Sequence, residues 1–247
     1  MTTSWNWGIF LQPTPFGDTT YLGWLWLGFQ MTILLVFTSG LVAFFVGSLF
    51  GVLRTLPNRF LSTLGTCYVE IFRNIPLIIH LFFWIEVVPI LVPESIRDWL
   101  YNDIDPMTFT LLMSTIGLGL FTGARICEQI RAAIQSIPIG QKNAGIALGL
   151  TLKQIYLYIL LPNAYRRVIP PLTSEMLNMV KNSAVASTVG YIELTKQANQ
   201  LLEHAGQPYE SFIAITLGYV LINVVIMFAM QYIEKKVRLP GILGGKS

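Results

Sequence analysis

Residues Tyr21 to Leu53 read YLGWLWLGFQMTILLVFTSGLVAFFVGSLFGVL, and the charge-free stretch around them runs for 35 positions between Asp18 and Arg54. A helix needs about 20 apolar residues to cross the hydrocarbon core of a bilayer, so this run holds one long or tilted membrane span, about 21–53. The whole chain agrees with it. Of 247 residues 53% are hydrophobic and 12% charged, where a soluble domain carries about 25% charged residues; mean hydropathy is +0.60. That composition excludes an ordinary soluble fold, a disordered chain, a collagen and a disulfide scaffold. Cys67 and Cys127 lie in or beside apolar runs and read as small buried hydrophobes. Two His without clustered Cys or carboxylates offer no metal-ligand set.

Four further spans follow. The stretch 64–92 is apolar but contains Glu70, Arg73 and Glu86; Pro106 opens an uncharged run from Met107 to Ala124, within a span of about 107–126; 168–191 contains Glu175 and Lys181; and 211–233 carries no charge. The expectation is an all-α polytopic membrane protein of five transmembrane helices, one domain over 1–247, with no internal repeat or flexible linker. Lys and Arg in short loops mark the cytoplasmic side. Arg54 and Arg59 follow the first span, 131–167 has five basic and no acidic residues, and the tail has Lys235, Lys236, Arg238 and Lys246. The loops 93–106 and 192–210 are acidic instead. The N-terminus, Asp103 and His204 are therefore expected outside, and Lys142, Lys236 and the C-terminus inside. The +3 net charge reflects this bias and gives no case for nucleic-acid binding. Met1 to Asp18 has no Lys or Arg and does not read as a cleavable signal peptide. Trp5, Trp7, Tyr21, Trp24, Trp26 and Trp99 fall near the outer span ends, at headgroup level.

Charged groups facing lipid at the bilayer centre cost at least about 2.5 kcal/mol each, so polar residues inside spans should face a bundle interior. At helical spacing Ser174, Glu175, Asn178, Lys181 and Asn182 share one face, and Glu70, Arg73 and Asn74 share another with His80 at its edge. Two polar stripes imply an internal polar space. Arg73 and Lys181 can attract the carboxylates of a small solute while Asn74, Asn178 and Asn182 hydrogen-bond it. Glu70 with Arg73 and Glu175 with Lys181 can equally neutralise one another to hold helices together. A secondary transporter or channel subunit would also place polar groups at mid-membrane depth. No span carries a nucleophile–base pair, so an enzyme has no support.

The segment 131–167 is too long for a simple connection and too apolar for a solvated linker. Thr151 can cap a short helix whose apolar positions Ile155, Tyr158 and Ile159 recur at helical spacing. Ala144, Gly145, Ala147 and Gly149 remove bulk from the helix before it, allowing another backbone to approach. The result is a short hairpin, suited either to a socket or to the lipid surface.

The spacing of Asn143-Ala144-Gly145, then Gly149, then Ile159-Leu160-Leu161-Pro162 resembles the EAA signature of ABC importer permeases, where Glu-Ala-Ala, Gly and Ile-x-Leu-Pro stand at those offsets. Asn143 and Gly145 depart from the usual Glu and Ala. Phe72-Arg73-Asn74-Ile75-Pro76-Leu77, the stretch from Ile134 to Gln141, Pro162-Asn163-Ala164, Pro170-Pro171-Leu172 and Lys181-Asn182-Ser183 are similar to the polar amino-acid subfamily. From Trp5 to the Arg238-Leu239-Pro240-Gly241 stretch the chain resembles the membrane subunits of glutamate/aspartate importers.

The resemblance implies an ABC importer type I permease fold with a cytoplasmic coupling helix, in the bacterial inner membrane. It assigns ATPase coupling to Asn143, Ala144, Gly145, Gly149, Ile159, Leu161 and Pro162. It implies that two cytoplasmic ABC ATPase subunits hold the ATP and Mg, since this chain has no Walker loop. The chain itself would bind no cofactor and catalyse nothing. A related second permease subunit, giving a heterodimer, and a periplasmic or surface amino-acid-binding protein complete the implied assembly.

Overall fold

The computed structural model describes residues 5–17 and 19–237. The charges at positions 18, 238 and 246, the stretch 238–241 and the first four residues lie outside this range. Regular structure among the described residues is helical apart from one bridge between Pro13 and Thr20.

Helix α1 spans Tyr21–Leu53, its first turn capped by Thr20, which accepts from the Gly23 amide at 3.2 Å. At 33 residues it measures about 50 Å, longer than the hydrocarbon core. Helix α2 is Arg59–Asn74, α3 Leu77–Phe82 and α4 Val88–Leu91, with a π turn at Phe83–Val87. After the short α5, Glu94–Asp98, comes α6, Pro106–Gln135, begun by Pro106 and capped by Asp105. The axis of the bundle is α1 against α6. A Cβ on Gly47 would stand 2.7 Å from the carbonyl of Gly123, and one on Gly51 2.9 Å from that of Cys127. The backbones therefore touch where a side chain would separate them, the small-residue contact by which membrane helices associate.

The expected second span is not one helix. A bend of 106° separates Arg59–Asn74 from Leu77–Leu91. Pro76 lacks the amide that would continue the ladder and disfavours a helical Ile75, which is extended at φ −92°, ψ 133°. The break also removes His80 from the polar stripe of α2: it is buried and stacked on Phe72 at 5.0 Å. Cys67 is exposed rather than buried, and Cys127 is buried against α2; both are free thiols.

Helix α7, Ile139–Ala147, is followed by α8, Leu152–Ile155, a π turn at Tyr156–Leu160 and α9, Leu161–Ser183, which run on without interruption. The expected second hairpin arm is thus the first turns of one long helix. A 3-10 turn, Ala184–Val189, ends it. Among the described residues three helices, α1, α6 and Pro208–Val237 (α11), are long and apolar enough to cross a membrane, and counting the bent pair as one span makes four. The expected 168–191 span covers the end of α9, with Pro170 and Pro171 inside it, and the 3-10 turn after it, and is not among these. The expected outer loop 192–210 contains another helix, α10, Leu194–Ala205, packed on α1 and α11.

Candidate functional site

Nine residues are too few for an independently stable helix, so α7 depends on its seating and its ends. Gly145 is its buried residue, and a Cβ there would stand 2.8 Å from Ile159 Cδ1 and 3.2 Å from Ile155 Cγ1. The glycine thus lets α7 lie on its own chain, which corrects the expectation that it makes room for a foreign backbone. The helix ends in a Schellman motif: the Gly149 amide donates to Ile146 O at 2.9 Å and the Leu150 amide to Gly145 O at 3.0 Å. This closure needs Gly149 at φ +77°, with open space around its Cα. Gly149 matters for conformation, not for small size.

The outward side of α7 is bulky and apolar. Ile139, Ile146 and Leu148 are 67%, 55% and 80% exposed, with Asn143 and Ala144 beside them. Burying such side chains yields about 1.5–3 kcal/mol each, so this is a surface that gains from entering a groove. Thr151 and Gln154 form a full capping box at the start of α8. Beyond it the buried residues are Ile155, Tyr156 and Leu160, while Tyr158 is 66% exposed. The π turn, bonded i to i+5, shifts the register that a 3.6-residue period predicts. Leu161 is half-buried and Pro162 exposed at the start of α9.

The polar residues of the two stripes remain largely uncovered. Glu70, Arg73 and Asn74 are exposed on α2, Asn74 donating to Glu70 at 2.7 Å. On α9, Lys181 is exposed and Asn178 and Asn182 are half-buried. The expected Glu70–Arg73 and Glu175–Lys181 ion pairs do not form among the described residues. Glu175 turns to α6 instead, accepting from Gln129 at 2.9 Å and lying 4.0 Å from the Arg125 guanidinium. Nothing within hydrogen-bond distance links Arg73 to Lys181 among the described residues.

Two polar clusters escaped the sequence reading. Near the C-terminal end of α1 Arg54 meets Glu128, which Arg131 also holds at 2.9 and 2.7 Å, and Tyr156 donates to Thr55 O at 2.7 Å. At the start of α10 Glu193 is fully buried, capping the helix through the Lys196 amide at 2.8 Å and accepting from Tyr219 at 2.5 Å. Burial pushes the Glu193 carboxyl above its ordinary range, against the pull of these donors. An acidic residue just before an amphipathic helix was the one available signal, that of a cap.

A family model described as "Binding-protein-dependent transport system inner membrane component" matches residues 43–239. The chain is 60% identical over 246 residues to the glutamate/aspartate import permease protein GltJ of Escherichia coli (strain K12), covering 100% of each. It is 32% identical over 209 residues to the probable glutamine ABC transporter permease protein GlnM of Bacillus subtilis (strain 168), covering 85% of this chain and 91% of that one. In fold it is similar to an inward-facing MetNI methionine ABC transporter chain, with TM-score 0.72, 25% identity and coverage of 88% and 98%.

Proposed function

The chain belongs to the family of binding-protein-dependent transport system inner membrane components, and on that premise we propose that it is the permease subunit of an ATP-driven ABC importer for glutamate and aspartate. Its fold is that of an all-helical type I ABC permease, and it works in the inner membrane. Five spans put the N-terminus outside and α7 in the cytoplasm. Two ATPase subunits, which hold ATP and Mg, each receive one such helix, and a binding protein delivers the amino acid. ATPase closure then turns the membrane halves from inward-facing to outward-facing, which requires contacts that differ between the two states.

One observation carries the coupling reading: α7 presents an exposed apolar face on a helix locked at its end by the Gly149 closure. A second permease subunit is supported by the polar faces of α2 and α9; that it is a related chain rather than a second copy is carried over from the resemblance to glutamate/aspartate importers. Arg73 and Lys181 stand exposed on α2 and α9, and contact of such charges with lipid is costly in the expected spans. A partner chain facing these helices would close a polar route, with Arg73, Asn74, Asn178, Lys181 and Asn182 lining it. The test is purification of the intact complex from membranes, followed by ATPase measurement with the binding protein and a panel of amino acids. Glutamate and aspartate should stimulate hydrolysis; stimulation by glutamine or arginine and not by the acidic pair would sink the substrate assignment.

A further inference from the structure

Helix α7 rests on Ile155 and Ile159 through Gly145, so any push on it enters the chain at the start of the α8–α9 helix. Directly beside that seat stands Tyr156, 8% exposed, the first residue of the π turn. Its ring leaves α9 altogether. The hydroxyl donates to the backbone carbonyl of Thr55 at 2.7 Å, with Thr55 Oγ1 at 3.1 Å, joining residues 101 positions apart. Because the main acceptor is a backbone oxygen, no side-chain rotation at Thr55 can release it.

Thr55 sits in the turn between α1 and α2, and that turn is stiff. Thr55 Oγ1 donates to Val52 O at 2.8 Å, and Arg54 is held by Glu128 of α6. On the other side Ser62 of α2 donates to Arg54 O at 3.4 Å, and Gly65 lies so close to the Arg54 stem that a Cβ would come within 2.4 Å of its Cγ. Helix α2 then leads to Glu70, Arg73 and Asn74 and to the 106° bend. Two routes therefore leave α7. One follows α9 to Asn178, Lys181 and Asn182, and the other crosses Tyr156 to α2 and its polar face. Contiguous hydrogen-bonded and packed networks of this kind carry coupling between distant sites.

We infer that Tyr156 is a positioning residue whose hydrogen bond to Thr55 passes displacement of α7 to the α1–α2 turn, so that the Arg73–Asn74 face moves together with the α9 face. This rests on the proposed docking of α7 on an ATPase. Without the bond the ATPase stays seated, but one wall of the polar route no longer follows it.

The test uses the assembled complex with its ATPase subunits and binding protein, reconstituted in proteoliposomes, as wild type and Tyr156→Phe. The ratio of glutamate imported to ATP hydrolysed is measured beside the ATPase retained on purification. Retained ATPase, continuing hydrolysis and a ratio lower by about tenfold are expected, the scale of one lost hydrogen bond's coupling. An unchanged ratio overturns the inference, as does loss of the ATPase subunits, which would make Tyr156 part of the seat. Wild-type complex that retains no ATPase would instead defeat the docking reading itself. A measurement without substitution guards against a variant that does not assemble: ATP should alter amide exchange over residues 55–74 as well as 139–147. A change confined to 139–147 and α9 overturns the inference.

Discussion

Position 149 shows how a residue can be found for one reason and matter for another. Spacing alone singles out Gly149, and lack of bulk is the property a sequence suggests. The φ of +77° and the empty space around it assign its importance to the left-handed closure of α7. A residue with a Cβ pays about 1–2 kcal/mol there, while Asn tolerates the conformation. Gly149→Asn should thus keep ATPase association and uptake near wild type, whereas Gly149→Val should lose most of both. Equal behaviour of the two variants in co-purification would remove the conformational explanation. At Lys181 the structure likewise changes the terms, because Glu175 is engaged by Gln129 and lies near Arg125. Lys181→Met keeps the bulk of the side chain and takes away its charge. If Lys181 meets a substrate carboxylate, glutamate uptake should fall about tenfold or more, the scale of one charge-assisted hydrogen bond, with assembly intact. Uptake that stays normal in an assembled complex strikes Lys181 from the route.

Among the elements, those legible from sequence were the ones whose signal is local. The charge-free run gave α1, Pro106 gave the start of α6, and Thr151 gave the cap of α8. The misread elements depend on geometry that a fixed period does not encode. A π turn put Tyr156 inside and Tyr158 outside, and the extended residue before Pro76 bent the expected second span. Helix α10 was hidden in an acidic loop because its burial depends on α11, folded back on it, and on α1, remote in sequence. Its cap supplies a prediction with a definite sign. Burial raises the Glu193 carboxyl above its ordinary value of about 4.3, so the folded state holds that proton more tightly than the unfolded chain. Its stabilising effect is complete below the ordinary value and is lost as pH rises from there through the folded value. Thermal unfolding in detergent should show Glu193→Gln with a shallower fall in melting temperature above about pH 4.3 than wild type. Identical slopes would mean that Glu193 does not titrate in this way.

For the whole molecule, the family and the polar character of the α2 and α9 faces were legible in the sequence, whereas the bend at Pro76 and the engagement of Glu175 by α6 were not, since both arise from tertiary geometry. Topology is the frame for every larger claim. Single cysteines at Asp103, Lys142, His204 and Lys236, placed in a background without Cys67 and Cys127, should react with an impermeant reagent from outside only at Asp103 and His204. Labelling of Lys142→Cys from outside would invert the orientation and put α7 on the wrong side for an ATPase. The central claim is that ATP hydrolysis by docked partners, not an ion gradient, drives acidic amino acids past this chain. Its most direct measurement is uptake of labelled glutamate into proteoliposomes holding the complete complex, with binding protein outside, ATP enclosed and ion gradients collapsed. The account predicts accumulation that requires ATP and survives ionophores; accumulation that needs a proton or sodium gradient and proceeds without ATP would contradict it.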